Sequence, residues 1–269
     1  MSLTIQFVGV SGAGIGPGEE TACYVINESI LIDTGWNAAV SMQELGLHPT
    51  NIDTIFFTHC HQDHTLGLPG VFFANSRRKQ IRPDAPDLDI YGPLDLQLIV
   101  DGAKALLRSR QYPQCVPDHR VTLVYPGESY DIGNLKVDVG RAFHPLDARA
   151  YRFTDTTTEA SIVFSGDTAY HEFLPEFASG CDVLVHEASS RPDTDLASRQ
   201  RVLHSTPQDA ARVANEAGAG ELVLVHYPTG NREAIIDRAK ADFPSSQLGV
   251  KGATLTIHGP GKTEWSYPE

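Results

Sequence analysis

Residues 58–64 read THCHQDH, which puts His59, His61, Asp63 and His64 within six consecutive positions, directly after the apolar run 54–57. Imidazole and carboxylate are ligands for zinc, manganese or iron. If 54–57 is a strand, His59 and His61 leave its end two residues apart and point to one side. Asp63 and His64 follow where the chain turns toward a helix. One ion could not easily take all four ligands from so short a stretch. Two ions a few ångströms apart could, with His59 and His61 on one and Asp63 and His64 on the other.

Three further residues stand at the ends of apolar runs: His144 after VGRAF, Asp167 in IVFSGDT and His226 in LVLVHY. Singly, each reads as a structural residue. As a set they complete a shell, in which His144 closes the first site, His226 closes the second and Asp167 bridges both.

The elements that must carry these residues follow from hydrophobic patterning. Strands are expected at 3–10, 22–26, 29–32 and 54–57, then at 121–124, 135–139 and 161–164. From 183 the order becomes strand 183–185, helix 207–217, strand 222–225, helix 232–242, with 254–257 as the last strand. A short helix is expected at 37–45. A longer one is expected at 93–108, with Leu94, Leu98, Ala105 and Leu106 on one face. The mixture predicts an α/β fold with two sheets in the middle and helices outside, built as one domain over 1–269. Thr206, Pro207 and Asp209 mark a helix start, and Gly218 marks its end. His204 then lies on a loop that can face a site.

Composition narrows the function classes. The 269 residues are 41% hydrophobic, enough for a sizeable core. No run approaches the ~20 apolar residues of a membrane span, and no signal peptide is read at the start. Cys23, Cys60, Cys115 and Cys181 form no C-x-x-C pair, which suits reduced thiols and a cytoplasmic location. A net charge of −13 argues against a generic duplex nucleic-acid binder. The glycine-rich stretch 9–18 lacks the G-K-[ST] of a phosphate loop and leads into a strand, so it reads as a tight turn with close backbone packing. Arg77, Arg78, Lys79 and Arg82 form a short basic run. It is either a solvated face or, if it lies at the mouth of the site, an attractor for phosphate. His48, His119, His171 and His258 read as residues of turns or exposed segments, and His186 as facing away from Glu187.

THCHQDH resembles the H-x-H-x-D-H signature of the metallo-β-lactamase superfamily, and the order His59/His61/Asp63/His64, His144, Asp167, His226 is similar to that of its dinuclear members. The resemblance implies a four-layer αββα sandwich with two mixed central sheets and two divalent metal ions, zinc first, with manganese or iron as alternatives. It also implies that Asp33, in ILIDTG, supports the site from behind its ligands. Several stretches are similar to ribonuclease Z and its phosphodiesterase relatives: FVGVSGAGIGPG, HTLGLPGVF, LDIYGP, CDVLVHEAS and HSTPQDAARVANEAG. That subfamily pairs a glutamate with a histidine at the positions of Glu187 and His204.

The implied activity is a dinuclear metal-dependent hydrolase of small or single-stranded phosphodiesters, in which two ions lower the pKa of a bridging water toward neutrality. Asp63 would orient the nucleophile. His204, held charged by Glu187, would stabilise developing charge or protonate the leaving oxygen. The substrate would be a small molecule or a short nucleic acid. No membrane partner is expected, and a homodimer is compatible with the reading. The alternatives are a hydrolase of a lactone, thioester or sulfate ester and, less well supported, a non-catalytic RNA-binding protein. One departure stands out. Ribonuclease Z carries a long tRNA-gripping arm between its third-motif histidine and bridging aspartate, whereas His144 and Asp167 are only 23 positions apart, room for two strands and a turn.

Overall fold

The computed structural model describes residues 2–190, 202–230 and 232–268. Its strands form two sheets. The first has eight strands in the order β15-β14-β1-β2-β3-β4-β5-β6 and the second seven, β13-β12-β11-β10-β9-β8-β7. Strands β1 (Leu3–Gly9), β2 (Cys23–Ile26), β3 (Ile30–Ile32), β4 (Thr54–Phe56), β5 (Leu88–Gly92) and β6 (His119–Leu123) belong to the first sheet. Strands β7 (Ser129–Ile132), β8 (Leu135–Arg141), β9 (Arg149–Asp155), β10 (Ser161–Phe164), β11 (Val183–Glu187), β12 (Glu221–Val225) and β13 (Ser246–Leu248) form the second. The chain then returns to the edge of the first sheet as β14 (Thr254–Gly259) and β15 (Lys262–Ser266). Helices cover both outer faces, giving the four-layer αββα sandwich.

Near-continuous apolar strands are what a sheet buried on both faces requires. In β2 and β3, Tyr24, Ile26, Ile30 and Ile32 pack into the core shared with the second sheet, while Val25 and Leu31 face outward. Helix α1 (Ala38–Glu44) and, after α2 (Gln62–Thr65), helix α3 (Leu68–Asn75) cover that outer face through Ala38, Met42, Leu68 and Phe72. After α4 (Arg78–Ile81) comes α5 (Leu96–Leu106), which packs through Leu96, Val100 and Ala103. On the second sheet lie α6 (Phe173–Phe177), α7 (Pro207–Ala217) and α8 (Arg232–Asp242). Helix α7 starts as its sequence predicts. The Thr206 hydroxyl and the Asp209 carboxylate form a reciprocal capping box, and Gly218 ends the helix in the left-handed region with φ 65°.

Three expectations need correction. The face of α5 named by Leu94, Leu98, Ala105 and Leu106 is the exposed one, Leu98 being 72% accessible. The stripe Leu96, Val100, Ala103 has the same helical spacing and takes the core. The last strand is β15, a polar edge strand that hydrophobicity alone does not reveal. His119 is half-buried within β6, neither in a turn nor exposed, whereas His258 is exposed on β14 as expected.

The interval between His144 and Asp167 holds β9, a turn and β10, with no arm. Strands β10, β11 and β12 are parallel, and β8 runs with them because β9 is antiparallel to both β8 and β10. All four therefore end at one edge of the sheet, which is where α/β sheets place their sites. The two sheets are joined at this edge. The Tyr151 hydroxyl donates to the carbonyl of Phe57 at 2.7 Å, and Arg149 N–H to that of Thr58 at 2.8 Å.

A candidate metal centre at the edge of both sheets

From the first sheet, β4 ends at Phe56, and the chain passes through Thr58 and the buried His59 into the short helix α2, with His61 at its N-cap and the buried Asp63 and His64 inside it. From the second sheet, His144 follows β8, Asp167 follows β10, Glu187 ends β11 and His226 follows β12. Asp167 is presented by a turn at Gly166, whose φ is 60°. A Cβ there would stand 2.7 Å from the carbonyl oxygen of Arg149, so only glycine fits. Asp33, Leu203 and His226 also hold positive φ, a cluster of uncommon backbone around one edge.

The ring nitrogens and carboxylates converge. His59 Nε2 lies 3.0 Å from His61 Nδ1, which lies 3.1 Å from His144 Nε2. His64 Nε2 and His226 Nε2 are 3.2 Å apart, and Asp63 Oδ2 is 3.0 Å from His226 Nε2. Asp167 Oδ2 stands between the two groups, 3.7 Å from His59 and 3.5 Å from both His64 and His226. Thus His59, His61, His144 and Asp167 form one metal-capable group and Asp63, His64 and His226 a second, with the ligand atoms of each within 4.8 Å of one another. Asp167, His204 and His226 form an overlapping third set.

The donor set fits divalent ions. Ligand atoms bound at 2.0–2.1 Å to one tetrahedral ion stand roughly 3.3–3.4 Å apart, and the spacings here bracket that value. Protonation suits it too. Burial, reinforced by neighbouring imidazoles, pushes His59 well below the usual histidine range, and burial lowers His61 and takes His144 down to about 4, so their ring nitrogens offer lone pairs. Burial would raise the Asp167 carboxyl, but His226, His64 and His59 hold it well below the usual carboxylate range. His64 is the exception. Burial opposes its charge, yet Asp167 and Asp33 raise it well above the usual range. In the ion-free protein it keeps a proton that an incoming cation must displace.

Behind the converging atoms, other groups hold the rings. Asp33 accepts from Thr58 N–H and Thr58 Oγ1–H and lies 2.8 Å from His64 Nδ1. His144 Nδ1 donates to the carbonyl of Leu203 at 3.3 Å. The loops after β8 and β10 are joined by Phe143 N–H to Thr168 Oγ1 and by Ala169 N–H to the carbonyl of Phe143. Thr58 and Ser189, which contact ring nitrogens of His59, His64 and His226, escaped the sequence reading. Their only signal is position, Thr58 next to His59 and Ser189 two after Glu187.

At the rim, His204 Nδ1 sits 2.7 Å from Glu187 Oε1 and 3.9 Å from Asp167 Oδ2. Glu187 is buried and takes further hydrogen bonds from the backbone N–H groups of Thr168, Ser189 and Ser205. Burial works against the imidazolium of His204, but Glu187 outweighs it and carries the pKa up to about 9. Its ring lies beside those of His144 and His226, at 5.0 and 5.9 Å.

The glycine-rich stretch is closely packed only in part: a Cβ at Gly9, the last residue of β1, would stand 1.9 Å from the carbonyl oxygen of Thr21, and one at Gly12 3.5 Å from the His226 ring, whereas Gly14 and Gly18 have open space around them. The basic run is not at the mouth. Arg78 is buried and pairs with Asp53, Arg82 pairs with Asp53 at 2.6 Å, and Lys79 pairs with Asp87 and Asp118. Asp53 precedes β4 and His59 follows it, so the run is pinned at the far end of that strand. His186 is buried, donates from Nδ1 to the carbonyl of its neighbour Glu187, and joins none of the metal-capable groups found among the described residues. The four cysteines are free. Among the described residues no helix is long and apolar enough to cross a membrane.

Residues 28–227 match the model of the beta-lactamase superfamily domain. An uncharacterized protein of Mycobacterium leprae is 31% identical over 97% of this chain and 90% of its own length. The ribonuclease Z of Bacillus subtilis is 29% identical over 80% of this chain and 84% of its own. Among solved structures, the metallo-beta-lactamase fold protein YhfI of Bacillus subtilis superposes with a TM-score of 0.79 at 23% identity, covering 95% of this chain and all of YhfI.

Proposed function

The chain belongs to the beta-lactamase superfamily, and from that membership and the geometry of its site we propose a divalent-metal-dependent hydrolase, one domain over 1–269, acting on small or single-stranded phosphodiesters. His59, His61, His144 and Asp167 would hold one ion, and Asp63, His64 and His226 the other, with Asp167 shared. Zinc suits this nitrogen-rich set best, with manganese or iron as alternatives. When bound, two such ions supply Lewis acidity and lower the pKa of a water toward neutrality.

The observation that carries the phosphodiester reading is the Glu187–His204 pair. Glu187 takes Nδ1 of the imidazole at 2.7 Å and keeps the ring protonated at neutral pH. Nε2–H is left for the substrate, beside the rings of both ligand groups. A fixed cation there stabilises charge developing on a phosphoryl oxygen, and it can deliver its proton to the departing oxygen. Asp63 is held below the usual carboxylate range, since burial, which would raise its carboxyl, is outweighed by the neighbouring His226 and His64, and it can orient the nucleophile. The kinship with a ribonuclease Z supports a phosphodiester over a lactone, thioester or sulfate ester.

Turnover by zinc- or manganese-loaded protein of a panel containing bis(p-nitrophenyl) phosphate, cyclic nucleotides, precursor tRNA, lactones and thioesters tests the proposal. Phosphodiesters should lead. A lactone or thioester turned over faster than every phosphodiester would overturn it, as would tight RNA binding with no turnover of any substrate.

A further inference from the structure

We infer that Ser189 is a positioning residue which fixes the tautomer and direction of the His226 imidazole, and so makes the second ligand group competent. The inference rests on the reading of His226 as a metal ligand. Ser189 is half-buried, two residues beyond Glu187. Its Oγ lies 2.8 Å from the carbonyl oxygen of His226 and 2.6 Å from Nδ1 of the same residue.

A hydroxyl has one proton to give. The carbonyl can only accept, so the Ser189 proton goes there, and the contact with Nδ1 is then made by a lone pair of Oγ. His226 must therefore carry its own proton on Nδ1. That leaves Nε2 as the nitrogen open to an ion, facing Asp63 Oδ2, His64 Nε2 and Asp167 Oδ2 at 3.0, 3.2 and 3.5 Å. The opposite tautomer would turn an N–H into the centre of the group and exclude an ion from it.

The backbone makes this arrangement depend on Ser189. His226 has φ 51°, uncommon for a residue with a side chain. It is held there by its own N–H, which donates to the carbonyl of Val10 at 2.6 Å, and by the hydroxyl on its carbonyl. Meanwhile the Ser189 N–H donates to Glu187 Oε2 at 2.9 Å. One residue thus ties a ligand ring to the carboxylate that holds His204, and the two halves of the site keep a common register.

The test compares wild type with Ser189→Ala and Ser189→Thr by two readouts. Nitrogen-resolved NMR of metal-free protein at mildly alkaline pH reports which ring nitrogen of His226 bears the proton. Cobalt titration followed by absorption, against a competing chelator, reports the affinities of the two ions. Wild type and Ser189→Thr should show the Nδ1–H form. Ser189→Ala should lose it and bind the second ion roughly 10- to 100-fold more weakly while keeping the first. An unchanged tautomer and unchanged affinities in Ser189→Ala would overturn the inference. If that variant does not fold, an Nε2–H form in the wild type would overturn it by itself. Wild type with the Nδ1–H form that binds no second ion would uphold the positioning and refute the dinuclear reading.

Discussion

Asp33 Oδ2 lies 2.8 Å from Nδ1 of His64, and both side chains are buried. The same carboxylate takes two hydrogen bonds from Thr58, one from the backbone and one from the hydroxyl. It therefore fixes both the end of β4 and the ring that follows it. Asp33→Ala should leave three buried donors without an acceptor and cost about 2–3 kcal/mol of stability, with metal affinity falling roughly 10- to 100-fold. Asp33→Asn, which tolerates the φ of 53°, should recover most of the stability and less of the affinity. Denaturant unfolding and chelator competition check the two effects separately.

The Glu187–His204 pair should give metal-free protein a defined alkaline loss of stability. The His204 pKa is raised on folding, so its contribution is complete below the ordinary histidine value of about 6.5 and fades as pH rises through about 9. Glu187→Gln should be less stable than wild type near neutrality, and the difference should narrow by pH 10. Chemical unfolding of chelator-treated proteins across that window measures it. A difference that widened with pH would contradict the assignment.

Holding ions and turning over substrate should separate by residue. His204→Ala should keep its metal content and lose roughly 10²-fold or more in phosphodiester turnover. His64→Ala should lose metal first. Elemental analysis beside steady-state kinetics decides it.

The basic run should prove structural. Arg78→Ala removes the buried partner of the half-exposed Asp53, which keeps Arg82, and empties a buried site, for a cost on the order of 2 kcal/mol. Arg77→Ala, at a position whose guanidinium lies 6.0 Å from the Phe73 ring centroid, should cost far less. Neither should change KM for a phosphodiester. A rise in KM with Arg77→Ala would return the run to the substrate path.

Precursor tRNA should be a poor substrate. The chain carries a net charge of −13, Arg78, Lys79 and Arg82 of its basic run are paired with carboxylates, and β9 and β10 occupy the interval where an arm would emerge. Long-range docking of a polyanion is therefore unfavourable. Small phosphodiesters should be hydrolysed with the same metal-loaded preparation. Efficient site-specific cleavage of precursor tRNA at physiological salt would show that another surface replaces the arm.

What could be read in advance follows from where the physics is local. The capping box of α7 needs only Thr206, Pro207 and Asp209, and β10 announces itself as SIVF between polar turns. The gathering of His144, Asp167 and His226 was legible because each ends an apolar strand. Strand β7, SYDI, and strand β15, KTEWS, sit at sheet edges with little to bury, so hydrophobic patterning has nothing to register. The face of α5 was misread because Leu94, Leu98 and Leu106 look like a core stripe until the sheet selects the adjacent one. Arg78 shows the same limit in charge. A run of cations looks solvated until Asp53, 25 positions earlier, draws one of them inside.

The joining of the two sheets at one edge has a consequence for fragments of the chain. His59, His61, Asp63 and His64 come from the sheet that ends at β6, while His144, Asp167 and His226 come from the one that begins at β7. The chain crosses between them at the exposed turn around Pro126 and Gly127. Severing it there would give two pieces, each with an incomplete set of these metal-capable side chains, and the returning hairpin β14–β15 would have to dock onto the other piece. Reassembly of the halves would then be readable as recovery of tight metal uptake, turning the centre into a reporter of its own complementation.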